Sequence, residues 1–364
     1  MGLLDYYRQF EGQPEEEYNR GLRERAAQER KRALAKVDTI DLSTATWPEL
    51  PPSDVVNAVT FVARRGLHRY LDAHAAELRS ELAHRAGVPS DRIVVGNGAA
   101  QLMGSAAQAL MEPGDELVTP WPSYPYFPVM ARRSGGSAVP VPGWGPEAVL
   151  RAVTDRTRVV ALANPNDPTG EWLDAAALRA LLEALPERVI VLLDEALAEY
   201  APASHLALTD TFGRLLVFRS FSKAWGLAGL RVGYAVGGPD SEALLERLEP
   251  ELGVNELAQA GALEALRTSE KTVERRAAAV AVERERLIAE IRGLGLHVAD
   301  SEANLLWIGA EGLDGAELAS RLERSKVRVA TGGRFGDAGR VRAAVQSPAA
   351  GDRLLDALRA SAHA

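Results

Sequence analysis

From about residue 92 the chain alternates short apolar runs with segments of helical length. The runs are "RIVVG", "DELVTP", "RVVALANP", "VIVLLDE" and "LLVFRS". Branched and aromatic residues in runs this short form buried strands. Strands that are apolar on both faces, separated by helices, demand a mainly parallel sheet with helices on both of its faces. The expected fold is therefore α/β. In open sheets of this kind ligands bind beyond the carboxyl ends of the strands, so those ends are where chemistry is to be sought.

Around this core the chain is less regular. Residues 14–36 are dense in Glu, Arg and Lys and read as a charged helix, with Leu3, Tyr6, Tyr7 and Phe10 ahead of it at helical spacing. A composition shift near residue 240 opens a helix-rich tail. There the long charged segment "SEKTVERRAAAVAVERERLIAEIR" precedes two further strands, "ANLLWIG" and "RVRAAVQ". The 364 residues suffice for a large and a smaller domain. The expected division is an N-terminal arm over 1–38, a large domain over 61–242, and a small domain from 39–60 together with 243–364.

Composition removes several classes of function. A net charge of −8 disfavours nucleic acid or an anionic membrane as partner. No apolar run approaches the roughly 20 residues of a membrane span. The first residues, "MGLLDYYRQFEGQPEEE", lack the layout of a signal peptide, and Tyr6 breaks the myristoylation pattern. A cytoplasmic protein is expected. With no cysteine there is no thiolate ligand or nucleophile, and the six histidines lack zinc-ligand spacing, so no metal is expected. No Walker-A run and no G-x-S-x-G elbow occur.

The strand ends, read in order, give a coherent set. "RIVV" leads into "GNGAAQ", a glycine turn opening a helix, where Gly98, Ala99 and Ala100 offer backbone N–H groups to a phosphate. "DELVTP" leads into "WPSYPYF", with Trp121, Tyr124, Tyr126 and Phe127 near the mouth. "RVVALA" leads into "NPNDPTG", carrying Asn166 and Asp167. "VIVLL" ends on Asp194. "LLVF" leads into "RSFSKAWGLAGLRVGY", carrying Ser220, Ser222, Lys223 and Arg231. Taken singly, each has a plain alternative: a core aromatic, a helix-capping aspartate, a surface lysine. Together they suit pyridoxal 5′-phosphate. Its aldehyde needs an amine, its ring nitrogen an acid, and its phosphate a helix N-terminus, hydroxyls and an arginine.

At these residues the sequence resembles the fold-type I, class I/II aminotransferases that depend on pyridoxal phosphate, particularly the histidinol-phosphate aminotransferase branch. The resemblance runs from about residue 39 to 360 and is carried by "NPNDPTG", "LLDEA" and "SFSKAWGLAGLRVGY", with "SEANLLWI" and "GRVRAAV" in the tail. It implies the aspartate aminotransferase-like fold and transfer of an amino group between an L-amino acid and a 2-oxo acid. It further implies that Lys223 forms the Schiff base, that Tyr124 stacks on the ring and that Asp194 pairs with the ring nitrogen. Ala99, Ala100, Ser220, Ser222 and Arg231 would contact the phosphate, and Arg342 would grip the substrate's α-carboxylate. Tyr70, in "HRYLD", resembles a tyrosine that reaches a neighbouring subunit's phosphate, which implies a homodimer.

The chain departs from the pattern at four places. Asp167 stands where Asn usually precedes Pro-Thr-Gly and contacts the ring oxygen, which leaves Asn166 and Asp167 as the two alternatives there. Leu197 replaces the branch's Tyr, and Gln101 a usual acidic residue. The branch's N-terminal substrate segment gives way to "STATWPELPPS", where Trp47 adds bulk. Other chemistry on the same scaffold (decarboxylation, elimination or cyclisation) is the alternative reading. A transcriptional regulator on this fold would need a DNA-binding domain ahead of it, for which the highly charged stretch of 38 residues is expected to be too short.

Overall fold

The computed structural model of the chain describes residues 19–25, 28, 38–70 and 72–362. Residues 19–25 and 28 of the expected charged helix are helical, and the Leu3–Phe10 stripe lies outside the described residues. All five apolar runs form strands: β2 (Ile93–Gly96), β3 (Glu116–Trp121), β5 (Thr157–Ala163), β6 (Ile190–Asp194) and β7 (Leu215–Ser220). Two more join them in a seven-stranded sheet, β4 (Ser137–Pro142) and β8 (Gly233–Val236), in the order β2-β8-β7-β6-β5-β3-β4. The run from β4 to β7 is parallel, whereas β8 lies antiparallel to both β7 and β2.

Burial explains the patterning. Val159 and Ala161 face one apolar cluster with Leu192, Leu216 and Phe218, while Val160 and Leu162 face another with Val191, Leu193 and Val217. Alternate residues of one strand thus reach opposite layers, and both layers are apolar because helices cover both faces. The β4 sequence "SAVPVP" escaped the strand pattern because Pro140 and Pro142 cannot donate to a ladder. An edge strand tolerates that.

Register gathers the strand ends at one rim. Ala163 sits beside Asp194, and Asp194 beside Phe218. Two residues on, Ser220 sits beside Gly233, which sits beside Gly96. The tail forms an antiparallel sheet ordered β12-β13-β10-β9: β9 (His297–Val298), β10 (Leu305–Gly309), β12 (Ala330–Thr331) and β13 (Arg340–Ala344). Both strands expected there are present. The segment after residue 38 adds β1 (Ile40–Asp41), paired in parallel with β11 (Val327–Arg328). Among the described residues no helix is long and apolar enough to cross a membrane.

Candidate active site

The lysine turn is fixed from beneath. Phe221 and Leu227 are buried in one cluster, and the Leu227 amide donates to the Phe221 carbonyl at 2.9 Å. Gly226, at φ +74°, takes the left-handed turn that lets the chain double back into β8. Lys223 is left facing a cavity that Ala99, Ala100, Tyr124, Asp167, Asp194, Ser220, Ser222 and Arg231 also line. Burial pulls the Lys223 amine below the usual lysine range, and the charges of Arg342 and Arg231 add to this against the opposing pull of Asp167 and Asp194. A lysine held toward its neutral form is a nucleophile and a base.

Asp194 ends β6 on the same wall. Its Oδ1 accepts the Ala196 amide at 2.9 Å. Burial pushes the carboxyl up to about 6, which that hydrogen bond and the Lys223 charge only partly offset. The neighbouring Glu195 is wholly buried yet held low. Burial raises it, but the Arg219 guanidinium (2.9 Å) and both the amide and ring nitrogen of His205 (2.7 and 2.9 Å) outweigh burial. Glu195 therefore anchors the strand end structurally, while Asp194 faces the cavity.

Opposite lies an anion cradle. Gly98 precedes the helix Ala99–Leu110 at φ +89°. The first amides of a helix lack intrahelical acceptors, so Ala99 and Ala100 present N–H groups to the cavity. Gln101, three residues into the helix, folds its Oε1 back onto the Asn97 amide at 3.1 Å. Arg231 closes the cradle. Its backbone is left-handed at φ +58°, a conformation costing a non-glycine residue about 1–2 kcal/mol. Its Nη1 donates to Ser222 Oγ at 3.3 Å and to the Ala228 carbonyl at 3.2 Å. A Cβ on Gly98 would stand 2.6 Å from Arg231 Nη2, and one on Gly233 would stand 2.6 Å from the Ala99 nitrogen. The cradle thus needs glycine at both positions.

Of the aromatic run after β3, only Tyr124 lines the cavity. Phe127 is fully buried and meets Tyr124 edge-on at 5.6 Å, Tyr126 packs toward Gly104, and Trp121 packs against Gly336. Burial and the charges of Asp194 and Asp167 push the Tyr124 hydroxyl up, so it stays protonated.

The Asn166 amide is spent elsewhere. It accepts from Ser123 Oγ (2.8 Å) and donates to the Pro122 carbonyl (3.0 Å) and Thr169 Oγ1 (2.9 Å). Asp167 is the residue turned to the cavity, and its carboxylate is held by Arg342 at 2.6 and 2.8 Å. Tyr70 is fully exposed and contributes nothing to the cavity of its own chain. The cavity also takes Thr46, Met103 and Leu197. Thr46 carried no signal in sequence beyond lying in the segment that replaces the branch's own. Trp47, beside it, stacks under Arg276 at 4.8 Å and lies against Gly226.

A depressed lysine, a buried carboxyl with one oxygen on an amide, and an anion cradle suit the chemistry of pyridoxal phosphate, which places the protein among enzymes that use this cofactor. Residues 37–358 match the profile described as aminotransferase class I and II, and the chain belongs to that family. It is a transaminase acting on amino and 2-oxo acids, with pyridoxal 5′-phosphate as cofactor. It is 37% identical over 339 residues to an aromatic amino acid aminotransferase of Corynebacterium efficiens, covering 90% of this chain and 94% of that one. It is likewise 37% identical to histidinol-phosphate aminotransferase 2 of Pseudomonas fluorescens, covering 80% of each. The structure of a histidinol-phosphate aminotransferase from Sinorhizobium meliloti with pyridoxal-5′-phosphate superposes with a TM-score of 0.82 at 26% identity, over 92% of this chain and 94% of that one. An aspartate aminotransferase of Thermus thermophilus superposes with a TM-score of 0.81 at 25% identity, over 92% of this chain and 95% of that one, which shows the aspartate aminotransferase-like fold implied by the sequence.

Proposed function

We propose that the protein transaminates L-amino acids with aromatic or other large apolar side chains through Lys223. The observation that carries the catalytic part is the buried, depressed amine of Lys223 sharing one cavity with the buried carboxyl of Asp194. When bound, the cofactor supplies a carbonyl that takes an amine covalently and a protonated ring that draws off an electron pair. Asp194 would keep the proton on the ring nitrogen, and Tyr124 would lie against the ring. The Ala99 and Ala100 amides, Ser220, Ser222 and Arg231 hold the phosphate. Lys223 would hold the cofactor through its amine. Once free, its Nζ would take the proton from the substrate's Cα. Arg342 orients the substrate by its carboxylate.

The side-chain preference is supported by Leu197 and Thr46 on the cavity wall, and by relatives named as aromatic amino acid aminotransferases. We also read the protein as a cytoplasmic homodimer in which Tyr70 of one subunit serves the other's phosphate. Exposed Val56, Phe61, Leu67 and Tyr70 on and after one helix suit such a contact. The two-domain division is supported by the segregation of the seven-stranded sheet to 93–236 and the smaller sheet to 297–344. Mixing holoenzyme with each common amino acid and following absorbance tests the reading. Phe, Tyr and Trp should convert the cofactor to its pyridoxamine form fastest. Conversion confined to acidic amino acids would refute the side-chain preference, and no conversion at all would refute the role given to the site.

A further inference from the structure

Arg342 is already engaged. Its Nη1 donates to both carboxylate oxygens of Asp167, at 2.6 and 2.8 Å, and its Nη2 donates to the Ser43 carbonyl at 2.7 Å. The guanidinium lies over the Phe335 ring at 4.5 Å, and Phe335 in turn meets Trp307 edge-on at 6.0 Å. Trp307 is paired with Arg342 across β10 and β13. Arginine and carboxylate are both nearly buried. A substrate carboxylate seeking this arginine meets another carboxylate already there.

We propose that Asp167 is a built-in competitor of the substrate's carboxylate, occupying Arg342 until the substrate displaces it. This rests on the reading of Arg342 as the carboxylate anchor. Displacement falls to Asp167 rather than to Arg342, because the arginine is clamped between Ser43 and Phe335. The backbone at Asp167 is itself pinned, since the preceding Asn166 spends its amide on Ser123, Pro122 and Thr169. The movement is therefore a rotation of the Asp167 side chain. A second guanidinium lies in the same neighbourhood. Arg334 stacks on the same Phe335 ring at 4.6 Å, and it feels the charges of both Arg342 and Asp167. A neutral amide at position 167 would leave Arg342 open. The aspartate instead makes every carboxylate compete for it, in proportion to how well the rest of the ligand fits. Weakly fitting acids are thereby kept out of a site that must admit many carboxylates in a cell.

The test uses holoenzyme and two unreactive probes of one shape, 3-phenylpropanoate and its neutral amide, with affinities from calorimetry. Asp167→Asn should bind the carboxylate roughly tenfold or more tightly than the native enzyme, the usual scale of a charge-assisted hydrogen bond, and should leave the amide unchanged. Arg342→Ala should erase the preference for carboxylate. Unchanged or weaker carboxylate binding by Asp167→Asn, with the preference still lost in Arg342→Ala, overturns the competitor and spares the anchor. No effect in Arg342→Ala overturns the anchor itself. Asp167→Ser removes the same charge and serves if the Asn variant fails to fold. Failure of both variants to fold also overturns the proposal, because a competitor is dispensable to the fold.

Discussion

Asp194→Asn should make the cofactor-free protein more stable and the enzyme useless. Burial raises the Asp194 carboxyl from 3.8 to about 6. The raised value means that the apoenzyme keeps this contribution to stability below about pH 4 and loses it as pH rises through about 6. At about 1.4 kcal/mol per pH unit, the difference amounts to about 3 kcal/mol at pH 8. Asparagine carries no charge, so it escapes this penalty. With an unfolding entropy of about 2.1 cal/mol/K per residue, 364 residues convert 3 kcal/mol into roughly 4 °C of melting temperature. The assay is thermal unfolding of native and Asp194→Asn apoenzymes from pH 4 to 8. The variant should melt higher at pH 8, and the gap should close toward pH 4. With cofactor the order should reverse, because the carboxylate gains a protonated ring nitrogen as partner and loses its reason to be neutral. Turnover of the variant should fall by at least a hundredfold, since the amide cannot hold that proton in the transition state. A gap that does not change with pH would refute the burial argument, and near-native turnover would make Asp194 merely a cap for the Ala196 amide.

Lys223→Ala should abolish covalent cofactor attachment; borohydride reduction and peptide mass mapping of the native enzyme should find the label on Lys223, and a label elsewhere would sink the assignment. Mixing inactive Tyr70→Phe chains with inactive Lys223→Ala chains should restore part of the activity, since one site of a mixed dimer then holds both native residues. No recovery despite proven subunit exchange would remove Tyr70 from the partner's site.

The parallel core was legible because strands buried on both faces, such as β5 and β6, write themselves as unbroken apolar runs. Strands without that environment left weaker traces. The β8 residues "GYAV" follow the lysine turn so closely that they read as part of it, and β4 alternates around prolines that only an edge position excuses. The site divided in the same way. Lys223, Asp194 and the Gly98 turn follow directly from strand ends, because each is placed by its own element. The choice between Asn166 and Asp167 could not be read, as it depends on which side chain finds Ser123 and Thr169 and which finds an arginine 175 residues away. Long-range pairings of that kind have no local pattern. Likewise, the partners of Glu195, Arg219 and His205, which hold it as a structural anchor beside Asp194, had no trace in the local sequence.

The rim of the large sheet has a consequence for the order in which the protein becomes competent. Every cofactor contact assigned to the chain's own subunit lies between Gly98 and Arg231, within the stretch that builds the seven strands. The substrate side is completed by Arg342, about 110 residues further on. At translation rates of about 5–20 residues per second, that interval lasts roughly 5 to 20 s. A growing chain therefore contains every residue assigned to the cofactor cradle before it contains Arg342, while the lysine turn still awaits the residues from Val254 to Leu266 that pack beneath it.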